Sequence, residues 1–110
     1  MKRTFIETPI FTKRWYELGL TDEDLRYLQN RILNSTTIIG DVIPETYGLR
    51  KIRVAASGHG KRGGARVIFV DVDIKETVYF LNVYSKNEKS DLTVSEKKAL
   101  RFAAKILREE

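Results

Sequence analysis

The spacing of apolar and polar residues near the N-terminus predicts a short strand followed by a helix. Residues 3–7 (RTFIE) have the composition of a strand. Thr8 followed by Pro9 is typical of a helix start, because proline fits the first helical position. Gly19 is expected to end this helix after about residue 18.

A second helix is predicted directly after that glycine. Thr21 and Asp24 have the spacing of a capping box. Apolar residues follow at helical spacing up to about residue 34, namely Leu25, Leu28 and Ile32. The two helices are therefore expected to form a helical hairpin.

Residues 35–48 are rich in turn residues and are predicted to be a loop. Beyond this loop the spacing of the apolar residues changes from the 3.6 residues of a helix to the 2 residues of a strand. Strands are predicted at residues 49–55, 65–73 and 77–84. The second of these is apolar on both faces, as in a central strand. Because their connections are short, the three strands should be antiparallel.

A last helix is predicted from the capping box of Thr93 and Glu96 to about residue 108. Its buried positions are expected to be Leu100, Ala103 and Leu107. The fold class is then α+β: a small antiparallel sheet with an N-terminal helical hairpin and a C-terminal helix, all packed on one face of the sheet.

The positive charge of the chain is concentrated in one segment. The chain has 110 residues, which suits a single domain over residues 1–110, and a net charge of +5. Residues 50–66 (RKIRVAASGHGKRGGAR) contain six of the 20 basic residues and none of the 15 acidic ones. A segment whose charged residues are all basic predicts a polyanionic partner, with nucleic acid as the first candidate. The alternative is that these residues only keep the surface soluble.

What the sequence lacks argues against several other function classes. It has no cysteine, no cluster with metal-ligand spacing and no apolar run of membrane-spanning length. We therefore expect no metal, no cofactor and no membrane association. No signal peptide is recognisable, which predicts a cytoplasmic protein.

A glycine-rich loop interrupts the strands. Gly58, Gly60 and Gly63 have the spacing of a dinucleotide-binding turn, but a strand follows them, whereas that turn must open a helix. A flexible connecting loop would explain the glycines but not the basic residues. The basic side chains between them favour contact with a phosphate backbone, and the predicted RNA-binding residues here are His59, Lys61 and Arg62.

Three segments in this order resemble the RelE/ParE superfamily of toxin–antitoxin toxins, and its HigB-type members most. They are GDVIPETYGLRKIRVA (residues 40–55), GKRGGARVIF (residues 60–69) and YFLNVYSKNEKSDLT (residues 79–93). The resemblance implies a RelE-like fold and a toxin that cuts mRNA. Its implied partner is the 70S ribosome, where it would bind in the A site and contact the 16S rRNA. The resemblance also implies a cognate antitoxin, usually a helix-turn-helix protein.

The chemistry that the resemblance implies needs no metal. The 2′-hydroxyl of the RNA attacks the adjacent phosphate and leaves a 2′,3′-cyclic phosphate. Arg66 matches an arginine that contacts the scissile phosphate in ribonuclease members. Lys51 and Arg53 match basic residues that face the cleft, and the alternation places both on one face, away from Ile52 and Val54. The implied catalytic residues are Arg66, Lys86, Lys51 and Arg53.

Two positions depart from the ribonuclease pattern. Asn87 stands where ribonuclease members have a catalytic arginine, and Thr93 where they have a stacking tyrosine. Asn87 and Lys89 are expected to bind RNA. The general base and acid stay unassigned, with Tyr84, Glu88 and His59 as candidates.

Three alternatives stay open. The same fold serves non-enzymatic DNA gyrase inhibitors of the ParE type, and a plain nucleic-acid-binding module would also be basic. Arg66 could pair with Asp71 or Asp73 rather than with RNA. Trp15 and Tyr16 belong either to the core or to the surface that binds the antitoxin.

Overall fold

The structure is a computed structural model that describes residues 1–55 and 64–110. Helices and strands follow each other in the predicted order, with one additional short strand. The elements are β1 (Thr4–Glu7), α1 (Pro9–Glu17), α2 (Asp22–Leu33), β2 (Asp41–Val42), β3 (Leu49–Val54), β4 (Ala65–Val72), β5 (Thr77–Ser85) and α3 (Val94–Glu109), with a single 3₁₀ turn (Asp73–Lys75) between β4 and β5.

The helix starts are the ones that the sequence predicts. The Thr8 side chain accepts a hydrogen bond from the backbone N–H of Phe11, and Pro9 occupies the first turn of α1. Thr21 begins α2 and Thr93 begins α3, each in a complete capping box with the acidic residue three positions later. These contacts satisfy backbone N–H groups that have no partner within the helix.

The sheet has the strand order β1-β5-β4-β3-β2 and is mixed. The three long strands β3, β4 and β5 are antiparallel, as predicted. The prediction of a wholly antiparallel sheet is wrong at β1, which pairs with β5 in parallel. The prediction of a loop over residues 35–48 missed β2, two residues that pair with β3.

Helices cover both faces of the sheet, so the prediction of one covered face is wrong. The helical hairpin packs its Phe11, Trp15 and Leu28 against Val67 and Phe80 on one face. On the opposite face, called the α3 face below, α3 covers a second cluster. The sheet members of that cluster are Leu49, Ile68, Val70, Val72, Leu81 and Tyr84. A central strand that is apolar on both faces needs a cover on each.

The buried positions of α3 differ by one residue from the prediction. Ala104 is fully buried, while Leu100 and Leu107 are partly buried against the same cluster. Ala103, which was predicted to be buried, has intermediate exposure. Among the described residues, no helix combines the length and apolar character that a membrane span requires.

Candidate nucleic-acid interface

Three basic side chains lie on the α3 face of the sheet. Lys51 and Arg53 alternate with Ile52 and Val54 along β3, and those two apolar side chains belong to the core under the helical hairpin. Leu49, which shares the parity of Lys51 and Arg53, belongs to the α3 cluster. The alternation of a strand therefore places both cations on the α3 face.

The strand register adds Arg66 to the same place. Arg66 on β4 is the cross-strand partner of Arg53 on β3, and Lys51 is the partner of Ile68. Cross-strand partners share a face and lie about 5 Å apart. Lys51, Arg53 and Arg66 are called the cationic row below. Arg53 is exposed and the other two are half-buried, so the row opens to solvent.

Like charges that are directly opposite each other repel, so the strand position shared by Arg53 and Arg66 favours an anion that contacts both guanidinium groups. Asp71 and Asp73 were the alternative partners for Arg66, and both form ion pairs with Arg3, at 3.0 and 2.6 Å. An anion with several oxygens, such as a phosphate, would relieve the repulsion along the row.

Tyr84 continues the row onto β5, where it is the cross-strand partner of Arg66. Its side chain is buried, and its hydroxyl has no hydrogen-bond partner among the residues that the structure describes. Burial raises the pKa of the Tyr84 phenol, and the nearby Asp91 carboxylate raises it further, while Arg66 lowers it. The phenol is therefore protonated at neutral pH and is unsuited to act as a general base.

Glu88, another candidate base, is engaged in holding the turn after β5. Its carboxylate accepts hydrogen bonds from the Arg14 guanidinium at 2.5 and 2.6 Å and from the backbone N–H of Ser85 at 2.8 Å. The Ser85 hydrogen bond and then the Arg14 contact lower the pKa of Glu88, against an opposing effect of burial. A carboxylate that is stabilised in this way is a weaker base.

The turn after β5 carries the remaining basic candidates. Lys86 is exposed, and its backbone N–H bonds the carbonyl of Gly64 at 3.3 Å, next to the start of β4. Asn87 is also exposed. Lys89 forms an ion pair with Glu96, and its ammonium lies 5.2 Å from the centre of the Tyr84 ring. The turn thus brings Lys86 near the end of the cationic row, whereas Lys89 is already bound within the protein.

Asp91 belongs to this region, although sequence reasoning did not single it out. Its carboxylate lies 3.7 Å from the Lys51 ammonium and acts on the pKa of Tyr84. Asp91 is 40 positions from Lys51 and sits in a polar stretch without periodicity, so only the packing of the turn against β3 reveals it.

The remaining predicted site residues have other positions. His59, Lys61 and Arg62 lie outside the described residues. Thr93 is the N-cap of α3, which accounts for its residue type. Among the described residues, no group of three or more histidine, cysteine, aspartate or glutamate side chains could hold a metal ion. That the chemistry needs no metal and no cofactor stays a prediction.

The sequence matches the family model described as RelE toxin of the RelE/RelB toxin–antitoxin system, over residues 7–110. The chain belongs to the RelE toxin family. It is a toxin of a toxin–antitoxin system, as the sequence motifs indicated.

Two solved structures have the same fold. One is the Escherichia coli toxin RelE in the free state, in a form with two arginines mutated to alanine. It has 19% identity and a TM-score of 0.59, and the match covers 90% of this chain and 97% of that one. The other is the intact E. coli RelBE toxin–antitoxin complex, with 19% identity, a TM-score of 0.55, and coverage of 77% of this chain and 96% of that one. They establish the α+β fold for this member of the family.

Proposed function

We propose that this RelE-family toxin is a ribosome-dependent mRNA endoribonuclease. The cationic row carries the proposal, since Lys51, Arg53 and Arg66 come from two strands, share one face of the sheet and are all accessible to solvent. Oriented cations of this kind suit a reaction in which negative charge develops on a phosphoryl group. The resemblance of the basic motifs to ribonuclease members of the superfamily supports the same reading.

The proposed reaction uses the RNA as its own nucleophile. The 2′-oxygen forms a bond to the adjacent phosphorus, the bond from phosphorus to the 5′-oxygen breaks, and the products end in a 2′,3′-cyclic phosphate and a 5′-hydroxyl. The proton of the 2′-hydroxyl leaves and the 5′-oxygen gains one. Arg66 and Lys51 would stabilise the charge on the phosphoryl oxygens, while Arg53 and Lys86 hold the strand.

The wider proposal concerns the partners of the toxin. We expect the substrate to be mRNA in the A site of the 70S ribosome, with the exposed Lys86 and Asn87 facing RNA. The E. coli RelBE complex is a toxin bound to its antitoxin, which supports a cognate antitoxin here. That this antitoxin is a helix-turn-helix protein of the HigB-associated type, and that the pair acts in the cytoplasm, belong to the same proposal.

The test is cleavage of mRNA in a reconstituted translation reaction, with 5′ ends mapped by primer extension with and without ribosomes. Wild-type toxin should cut only ribosome-bound message. Arg66→Ala should slow cleavage about 100-fold, because oriented charge at a reacting phosphate contributes several kcal/mol. Arg26→Ala, an exposed cation on α2, is the matched control and should cut normally.

Two results would contradict the proposal. One is unchanged cleavage by both Arg66→Ala and Lys86→Ala. The other is the absence of cuts with wild-type toxin on ribosomes, together with trapped gyrase–DNA cleavage complexes in cells. The second result would favour gyrase inhibition, the non-enzymatic function known on this fold.

A further inference from the structure

The Tyr84 hydroxyl is a buried polar group that makes no hydrogen bond to the described part of the chain. Tyr84 is 2% exposed, and its hydroxyl has no hydrogen-bond partner within residues 1–55 and 64–110. Leaving a buried hydroxyl without a partner costs free energy, and a phenylalanine would fill the same space without that cost. We therefore look for a hydrogen-bond partner of this hydroxyl in a bound ligand.

Basic side chains lie on two sides of Tyr84. Tyr84 is the cross-strand partner of Arg66, which in turn is the partner of Arg53. The Lys89 ammonium lies over the Tyr84 ring and is paired with Glu96, whose carboxylate also raises the pKa of the phenol. Tyr84 thus extends the cationic row by one strand and offers a neutral O–H donor in line with the two arginines.

An anionic side chain already lies in this site. The Asp91 carboxylate is 3.7 Å from the Lys51 ammonium and lies close enough to Tyr84 to raise the pKa of its phenol. The Asp91 side chain is 58% exposed, and an exposed ion pair at this distance is weak. A phosphate with several oxygens, each a strong acceptor, can displace a single carboxylate from such a position.

We propose that the Tyr84 hydroxyl donates a hydrogen bond to a phosphoryl oxygen of bound RNA beside Arg66, with the phosphate taking the place of the Asp91 carboxylate against Lys51. The proposal rests on the proposed nuclease function. The phenol keeps its proton throughout, so Tyr84 is a catalytic residue that stabilises charge and is neither the general base nor the general acid. No bond to Tyr84 forms or breaks.

The first test compares Tyr84→Phe with Tyr79→Phe. Tyr79 lies on the same strand and packs against the same cluster, but it is the cross-strand partner of Val70, away from the row. Tyr84→Phe should lower the rate of ribosome-dependent cleavage about 10- to 100-fold, as loss of one oriented donor does. Its melting temperature should stay the same or rise, because an unpaired hydroxyl is removed.

Tyr79→Phe should leave the cleavage rate unchanged. A lower melting temperature for Tyr84→Phe together with wild-type cleavage would show that the hydroxyl has a structural role, and would overturn the proposal. Equal loss of cleavage in both variants would overturn it too, since Tyr79 is not near the row.

The second test does not depend on catalysis. Toxin with ¹³C at the ζ carbon of tyrosine is titrated with an oligoribonucleotide that carries one 2′-deoxy sugar and cannot be cut at that position. The Tyr84 signal, identified by its loss in Tyr84→Phe, should shift while that of Tyr79 does not. Asp91→Asn should bind the oligonucleotide several-fold more tightly, because the competing charge is gone.

These two tests separate the possible failures. If wild-type toxin makes no cuts on ribosomes but the Tyr84 signal shifts, the nuclease function fails and the phosphate contact stands. If wild-type toxin cuts and the Tyr84 signal does not move, the phosphate contact fails and the nuclease function stands. Equal or weaker binding by Asp91→Asn would overturn the displacement of Asp91.

Discussion

Gly64, the residue before β4, is at a position where the backbone itself requires glycine. Its φ is +56°, and a Cβ there would lie 2.4 Å from the carbonyl oxygen of Val54. Gly64→Ala should therefore lower the free energy of unfolding by about 3 kcal/mol, since a strained φ is combined with a clash against backbone. Urea denaturation monitored by circular dichroism measures the loss.

Gly19→Ala is the matched control for this prediction. Gly19 has a φ of +81°, but a Cβ there would meet no atom within 4 Å. The conformational cost alone is about 1 kcal/mol. Equal losses in the two variants would show that the approach of Val54 does not constrain the start of β4.

At the residue scale, the lowered pKa of Glu88 predicts that the stability of the protein depends on pH. Its pKa in the folded chain lies below the usual 4.5, with the Ser85 backbone N–H as the largest cause. A lowered folded-state pKa contributes stability that is present above the unfolded-state value and is lost as the pH falls through the folded-state value. Glu88→Gln should therefore lower the melting temperature at pH 7, and the deficit should shrink progressively below pH 4.5.

Thermal unfolding from pH 7 to pH 3 measures that deficit. Glu109→Gln, a change at an exposed position in the last turn of α3, serves as the control and should follow the wild-type curve. A Glu88→Gln deficit that stays constant over the whole pH range would mean that the charge of Glu88 does not hold the turn.

Sequence reasoning predicted the strand face of Lys51 and Arg53 but missed the contacts of other candidate residues, for a physical reason. Alternation along one strand is enough to place Lys51 and Arg53 on a common face. The ion pairs and the pKa of a side chain, in contrast, depend on groups that are distant in sequence. Glu88 is held by Arg14 from α1, and Asp91 meets Lys51 from β3, so neither contact follows from a local pattern.

At the scale of elements, the residue of α3 that lies deepest against the sheet is a small one. Ala104 is fully buried beneath the helix, whereas Ala99 on the same helix is exposed. Ala104→Leu should lower the free energy of unfolding by about 1–3 kcal/mol, because added methyl groups have no space in a packed contact. Chemical denaturation measures the change.

Ala99→Leu introduces the same side chain at the exposed position and should change stability by less than about 0.5 kcal/mol. If both variants are equally stable, α3 can move away from the sheet at little cost, and the packing of Ala104 does not fix its position.

The helix starts could be predicted from short sequence motifs because the hydrogen bonds that form them join residues close together in the chain. Each predicted N-cap, at Thr8, Thr21 and Thr93, is formed by hydrogen bonds between side chains and backbone N–H groups three positions apart. The pairing of β1 with β5 joins residues more than 70 positions apart. The direction of that pairing depends on the path of the two intervening helices, so the parallel orientation could not be read from residues 3–7 alone.

At the scale of the whole molecule, one buried ion pair fastens the N-terminus to the central strand. The side chains of Arg3 and Asp71 are 5% and 1% exposed, and they are joined by a hydrogen bond of 3.0 Å. Asp71→Asn should cost about 3 kcal/mol, because it leaves a buried guanidinium with only the exposed Asp73 carboxylate as a charge partner. Urea denaturation gives the free energy of unfolding.

Asp73→Asn removes a second carboxylate that contacts Arg3, but its side chain is 79% exposed. An exposed pair contributes about 1 kcal/mol or less, so this control should be close to wild type. Similar losses in the two variants would show that burial does not strengthen the Arg3–Asp71 contact.

The sequence by itself determined the order of the elements, the helix caps, the antiparallel core of the sheet, and the concentration of positive charge in residues 50–66. Each depends on neighbours along the chain or on one strand's alternation. Only the tertiary structure decided that helices cover both faces, that β1 runs parallel to β5, and that Tyr84 and Asp91 join the cationic row. Those features arise where distant segments pack together, because burial and charge contacts are properties of the packed molecule.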